Sequence, residues 1–320
     1  MTVSTSGAGL TIFLTGEINA QQLAQIRSAV PAADVRYFDT EEELERDIEL
    51  ADIVGGEISA AALARAKRLK WVQSWLAGTN RMLYPEMIAS PVILTSVAGN
   101  GAISMAEHAV MLMLMLARDT RRWLRNQDEG KWERWFHPEL TGQTCGIIGL
   151  GYSGQDLALK LKAFHMRVIG MRRAPRPTPN VDEVLPRERL HELLAKSDFV
   201  VVSAPRTPET RGMLGEAEFR VMKSSAFYIC YSRGGIADDA ALLKALNEGW
   251  IAGAGLDAHT QEPLPPDSPF WTAPNTIITP HNSATSPMSR ERRIEIFLEN
   301  LGYFLEGKPL RSVVNKEAGY

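Results

Sequence analysis

The sequence predicts an α/β protein built of two doubly wound parallel sheets, and three observations lead there. Short apolar, strand-like runs alternate with helical patterns along the whole chain, the signature of parallel strands joined by helical crossovers. The alternation occurs twice, with a glycine-rich turn in the second unit only. At 320 residues and 45% hydrophobic content, the chain is long enough to bury two cores.

In chain order, the first unit reads TIFLTG, a helix near 20–30, VRYFD, a helix near 41–50, DIVGG, a helix near 60–66, KWVQSW and VILTSVAGN. A long apolar helix follows over about 102–118, whose core AVMLMLMLA (109–117) is far too short to span a membrane and reads as a buried or interface helix. The stretch RRWLRNQDEGKWERWFHPEL (121–140) is polar and tryptophan-rich. The second unit then carries the glycine turn, DFVVVSAP, AFYICYS, a helix near 239–249, IAGAGLDA and TIITP. In the final segment Ile294, Phe297, Leu298, Leu301 and Phe304 share one helical face, which needs a partner surface and is expected to pack back on the first unit. The expected domains are 1–98 with 284–320, and 99–283.

The second unit opens on CGIIGLGYSGQDLALKLKAFHMRVIGMRR, residues 145–173. A strand entering G-x-G-x-x-G and then a helix places a pyrophosphate over backbone N–H groups at the positive end of the helix dipole. Gly149 makes the tight turn, Gly151 allows close approach of the phosphates, and Gly154 allows helix and strand to pack, with Tyr152 and Ser153 between them in the binding loop. An acidic residue about 20 positions on accepts bonds from the ribose of NAD. Here Arg172 stands 172 − 149 = 23 positions on, with Arg173 beside it. A carboxylate repels a 2′-phosphate whereas a guanidinium grips it, so the expected cofactor is NADP(H).

Thirty-five basic and 38 acidic residues leave a net charge of −3, no field for nucleic acid or an anionic membrane, so the expected ligand is small. The clusters Arg121–Arg122 and 290–293 read as solvated helix faces. Cys145 and Cys230 lie in apolar strands, suiting buried free thiols in a reducing compartment; neither has a ligating neighbour, and no metal is expected. MTVSTSGAGLTIFLTG lacks a basic region and a sustained apolar core, which points to cytoplasmic residence.

Three later segments place polar residues among apolar ones: SRGG (232–235), GLDAHTQEP (255–263) and TPHNSATSP (279–287). Together with LKWVQSWLAGTN (69–80), AEHAVMLMLMLAR (106–118) and the tail from 299 to 320, they give the chain its resemblance to the D-isomer-specific 2-hydroxyacid dehydrogenase family over nearly its whole length. The resemblance implies a Rossmann nucleotide-binding domain inserted into a flavodoxin-like substrate domain. It also implies NADPH-dependent reduction of 2-oxo acids such as glyoxylate or hydroxypyruvate to D-2-hydroxy acids, in a homodimer. Reducing a keto acid requires a cation for its carboxylate and an acid for the developing alkoxide. Arg233 offers the planar fork, and His281 is the acid and base. A free imidazole titrates near about 6.5, and Glu262 beside it would favour the charged form.

WLAGTN resembles the family loop whose N–H groups receive the carboxylate, with Ala77 and Gly78 allowing close approach and Trp75 and Leu76 bordering the pocket. Asp257 resembles the family's aspartate near the nicotinamide, a turn role being equally open, and Pro205 shapes the coenzyme site. Trp132, Trp135 and Phe136 resemble a loop that can reach a neighbouring subunit, surface packing being an equal alternative. His108 is expected to hydrogen-bond on its helix, while His137, His165, His191 and His259 lack a companion acid and base. The chain departs from the family pattern at Cys230, where asparagine is common, and at Arg206, where an apolar residue is usual. Other readings are a phosphoglycerate dehydrogenase, for which Arg81 is the nearby cation, and a dinucleotide-sensing module like the family's co-repressor relatives.

Overall fold

A computed structural model describes residues 9–319, the side chain of Asn80 excepted; part of the N-terminal stretch read above lies outside the described residues. Two compact units emerge, Met1–Asn100 with Ser286–Tyr320, and Gly101–Thr285.

The first unit is built on strands β1 (Thr11–Leu14), β2 (Asp34–Tyr37), β3 (Ile53–Gly55), β4 (Trp71–Gln73) and β5 (Ile93–Thr95), ordered β2-β1-β3-β4-β5 with every pairing parallel. This is the flavodoxin-like order. Its central strands are buried on both faces, which is why they read as unbroken apolar runs rather than alternating ones. Helix Ala20–Ala29 starts where Asn19 accepts the Gln22 N–H at 2.8 Å and Gln22 returns a bond to the Asn19 N–H at 3.0 Å, satisfying two donors that a helix end otherwise leaves bare. The helix expected over 41–50 is split: Glu41–Arg46 is α-helical, and a 3-10 turn over Ile48–Leu50 swings Ile48 into the core.

The tail forms helix Pro287–Leu305, capped by Ser286 and opened by a proline where no N–H is needed. Phe297 stacks on Trp71 with centroids 5.4 Å apart and meets Trp75 edge-on at 5.4 Å. The apolar stripe thus packs on the first unit, as expected. Arg293 departs from the solvated reading: its side chain is only 12% exposed, lies 6.0 Å from the Trp75 ring and donates to the Glu17 carbonyl. A guanidinium is attracted to the face of an indole ring as well as to water.

The second unit carries β6 (Thr144–Ile148), β7 (Arg167–Met171), β8 (Glu183–Leu185), β9 (Phe199–Val202), β10 (Phe227–Cys230), β11 (Gly253–Leu256) and β12 (Thr276–Ile278). Their order is β12-β11-β10-β9-β6-β7-β8, all parallel, so strand order reverses between β6 and β9. That reversal is the switch point at which Rossmann sheets bind nucleotides. Helix Ala102–Ala117 buries Ala106, Ala109, Leu112, Met113 and Leu116 against Cys145, Ile147, Val201 and Ile229.

Strand β8 and helices Leu190–Lys196 and Glu216–Val221 are short elements that periodicity does not reveal, and helix Thr120–Asp128 lies in the polar, tryptophan-rich stretch and carries the Arg121–Arg122 pair. That last helix is tied down by its arginines. Arg121 donates to the Thr276 carbonyl at 2.7 Å, while Arg122 pairs with Glu133 and stacks 4.3 Å from the Trp135 ring. The Arg121–Arg122 pair therefore anchors the helix while Arg121 stays exposed, as expected of a solvated face. Among the described residues, no helix is long and apolar enough to cross a membrane.

Candidate active site

The three glycines after β6 do different physical work. Gly149 has φ +101°, and a Cβ there would stand 2.7 Å from the Ala204 nitrogen, so the turn admits no side chain. A Cβ on Gly154 would stand 2.1 Å from the Gly149 carbonyl oxygen, which seats the helix hard against the turn. Gly151, the N-cap of helix Tyr152–Ala163, has nothing within 4 Å of the position its Cβ would take. Open space therefore lies where first-turn N–H groups have no intrahelical acceptor. The Ser153 hydroxyl is turned inward, 2.9 Å from Ser203 Oγ, leaving its backbone N–H as its contribution to the helix end. Tyr152 is about half exposed, at 51%.

Strand β7 ends at Met171, and Arg172 and Arg173 follow. Arg172 is half-buried and makes no ion pair among the described residues. Arg173 is exposed and, after a Thr207 hydroxyl bond, helps hold the Glu209 carboxyl below its usual range. An open helix end flanked by a guanidinium, with no carboxylate at the ribose position, fits a 2′-phosphorylated dinucleotide. Pro205 follows β9, its carbonyl accepting the Thr210 hydroxyl at 2.8 Å.

At the same end of the sheet, the residues after β10, β11 and β12 converge. His281 Nδ1 stands 2.8 Å from each oxygen of Glu262. Glu262 also accepts the His259 N–H at 2.9 Å. Burial raises the Glu262 pKa, but the His259 and His281 bonds outweigh it and hold the carboxyl below its usual range. Arg233 is half-buried and donates to the Ser232 carbonyl at 2.7 Å. Burial lowers its pKa, Glu262 opposes this, and Arg206 adds to it. A Cβ on Gly234 would stand 2.0 Å from the His259 carbonyl carbon, so only glycine lets the arginine loop lie against the loop that carries Glu262.

Asp257 is fully buried and acts on the His281 loop. Its carboxylate accepts the Thr279 hydroxyl at 2.7 Å and the Asn282 and Ser283 N–H groups at 3.0 Å each. Burial pushes its pKa up, yet the donors from Ser283, Thr279 and Asn282 together hold it below the usual value. His281 lies between these tethers with φ +51°, a left-handed conformation that a bulky residue keeps only under constraint. Of the two roles open to Asp257, the geometry supports the turn role. His108 Nε2 is 3.0 Å from Thr279 Oγ1 and 3.6 Å from Asp257, and His259 Nε2 is 3.2 Å from the Thr279 carbonyl. Both brace the same loop. His191 does have an acidic neighbour, Glu218 Oε1 at 2.8 Å, on an exposed surface.

In the first unit, Trp75 is 9% exposed, packs on Phe297 and donates to the Thr15 carbonyl at 2.8 Å, so most of its ring is held in the core. Leu76 is 44% exposed. The Ala77 and Gly78 N–H groups make no hydrogen bond among the described residues. Arg81 is paired with Glu57 at 3.9 Å. Trp132 and Phe136 are almost fully exposed, at 94% and 105%. Among the described residues no group of three or more His, Cys, Asp or Glu is placed to hold a metal ion.

Residues 110–283 match the family described as D-isomer specific 2-hydroxyacid dehydrogenase, NAD binding domain. The chain is 35% identical to a glyoxylate reductase of Korarchaeum cryptofilum over 84% of its own length and 82% of the relative's. Among solved structures, a D-isomer specific 2-hydroxyacid dehydrogenase of Xanthobacter autotrophicus Py2, in complex with NADPH and MES, superposes with a TM-score of 0.86 at 30% identity, covering 98% of this chain and 100% of that one. An NADPH-dependent glyoxylate/hydroxypyruvate reductase of Sinorhizobium meliloti, in complex with NADP and sulfate, gives a TM-score of 0.83 at 32% identity, covering 97% and 100%. The chain belongs to the D-isomer specific 2-hydroxyacid dehydrogenase family of NAD(P)-dependent oxidoreductases.

Proposed function

We propose that this protein catalyses the reversible, NADPH-dependent reduction of 2-oxo acids to D-2-hydroxy acids, with residues 99–283 as the dinucleotide-binding domain and residues 1–98 and 284–320 as the substrate domain. The observation that carries this reading is the His281–Glu262 pair at 2.8 Å beside the half-buried guanidinium of Arg233. An acid–base group, its charge partner and a carboxylate clamp are what the reaction demands of the protein. The coenzyme, when bound, supplies the hydride.

Gly149, Gly151 and the first-turn N–H groups of Tyr152, Ser153 and Gly154 hold the pyrophosphate in this reading. Arg172 and Arg173 take the 2′-phosphate, and Pro205 shapes the wall. The complexes of two relatives with NADPH and with NADP support this choice of coenzyme. Arg233 grips the substrate carboxylate and draws electron density from the adjacent carbonyl. His281 Nε2, which has no partner among the described residues, gives its proton to the carbonyl oxygen in reduction and recovers it in oxidation. Glu262 balances the imidazolium, and Asp257 positions the loop. On the first unit, the unclaimed N–H groups of Ala77 and Gly78 suit a carboxylate, with Leu76 as their apolar neighbour. A homodimer built on helix Ala102–Ala117 would cover Ile103 and Met111, which are 40% and 39% exposed.

The test is a panel of 2-oxo acids, glyoxylate and hydroxypyruvate first, assayed with NADPH and with NADH. Turnover with NADPH well above that with NADH is expected. Equal use of NADH would refute the coenzyme assignment, and tight NADPH binding with no turnover would favour a sensing module. A monomeric mass by light scattering would contradict the dimer.

A further inference from the structure

Arg206 is the first residue after Pro205 at the end of β9, and the proposed chemistry assigns it no task. Its side chain is exposed but lies along the protein surface beside Gly235. Nη1 and Cδ lie 3.6 and 3.7 Å from the position a Cβ would take on Gly235, and Thr260 Oγ1 lies 3.8 Å from the same point. The guanidinium is thus folded over the arginine loop, two residues beyond Arg233. Gly235, at φ +74°, has no side chain to push it away. No hydrogen bond or ion pair holds Arg206 among the described residues. Glu262, the carboxylate that faces Arg233, is committed to His281 and to the His259 N–H.

Two cations brought together, one of them half-buried, raise the cost of leaving the site without an anion. One carboxylate satisfies one guanidinium fork, which leaves the second, exposed guanidinium open to another negative group. We propose that Arg206 is a specificity-determining residue that engages a second anionic group, carboxylate or phosphate, on the 2-oxo acid held by Arg233. This rests on the reaction proposed above and narrows its substrate class to doubly anionic keto acids.

Initial rates with NADPH test it on wild type, Arg206→Gln and Arg206→Lys, using glyoxylate and 2-oxobutanoate as monoanions, oxaloacetate and 2-oxoglutarate as dicarboxylates, and 3-phosphohydroxypyruvate as the phosphorylated acid. Wild type is expected to favour a dicarboxylate or the phosphorylated acid in kcat/KM, which identifies the second group. Arg206→Gln should cut that value about 10- to 100-fold, the size of a lost charged hydrogen bond, mainly through KM. The loss on monoanions should be far smaller, and Arg206→Lys should restore part of the difference. Equal losses on all substrates, or a raised KM for NADPH alone, would overturn the proposal, the latter placing Arg206 on the coenzyme phosphates. Calorimetric titration with unreactive malonate and acetate separates the two readings. Malonate binding that depends on Arg206, without turnover of any keto acid, would sink the reaction and leave the two-cation site; turnover without charge preference would do the reverse.

Discussion

Replacing Gly151 and Gly154 by alanine, one at a time, separates the binding role of the loop from its packing role. At Gly154 the new methyl would lie 2.1 Å from the Gly149 carbonyl oxygen and 3.2 Å from its carbon, roughly 1 Å inside ordinary contact. The obstacle is backbone, so the helix must shift, and overpacking of this kind costs about 1–3 kcal/mol. For a unit of this size that lowers Tm by roughly 2–4 °C per kcal/mol. At Gly151 the methyl meets nothing within 4 Å, and φ −76° is open to alanine. Losing glycine as an N-cap costs up to about 1 kcal/mol, while the stiffer unfolded chain returns about 0.4–1 kcal/mol, so the two nearly cancel. Gly151→Ala should therefore melt within a few degrees of wild type yet bind NADPH at least ~10-fold more weakly, because its methyl fills the space the phosphates need. Calorimetric melting without coenzyme and titration of NADPH fluorescence measure the two effects. Wild-type NADPH affinity in Gly151→Ala, or a Tm as low as that of Gly154→Ala, would refute the reasoning.

Three further substitutions probe the rest of the site. Arg172→Gln should weaken NADPH binding by about 10- to 100-fold, as expected for a lost charge-assisted bond, and leave NADH binding unchanged; parallel titrations decide it. His281→Gln should lower kcat by about 100- to 10,000-fold at unaltered coenzyme affinity, measured by steady-state rates and NADPH titration together. Asp257→Asn should destabilise the second unit by about 2–4 kcal/mol at neutral pH, since it removes the charge from three buried bonds. Burial pushes the Asp257 pKa up, but its donors hold it below the usual value, so its contribution is complete above the ordinary carboxylate range and fades as pH falls through the folded value. Urea melts should show a constant gap between wild type and Asp257→Asn from pH 8 to about 5 and a shrinking gap below about pH 4; a gap that widens in acid would contradict the assignment.

Local spacing alone made several features legible. The glycine turn was readable because its spacing is complete within six residues, from Gly149 at φ +101° to Gly154 against the Gly149 carbonyl. The tail helix was readable because Ile294, Phe297 and Leu301 recur on one face, and that face had to be buried. Arginine in place of an acid at 172 is likewise a local fact. Tertiary structure decided the rest. Periodicity marks Trp75 as apolar but does not say that Gly55, whose Cβ would stand 2.7 Å from its ring, opens a core slot for it. Arg293 reads as surface in the sequence, and only the fold sets a tryptophan face beside it. Asp257 reaches Thr279 and Ser283 because β11 and β12 are parallel neighbours, Leu256 opposite Ile278, so residues 22 and 26 positions apart leave the sheet side by side. The folding of Arg206 over Gly235 rests on the neighbouring ends of β9 and β10 in the same way. Apolar burial needs only a face and writes itself into the local pattern, whereas the partner of a polar side chain is chosen by direction and distance across strands that the pattern does not order.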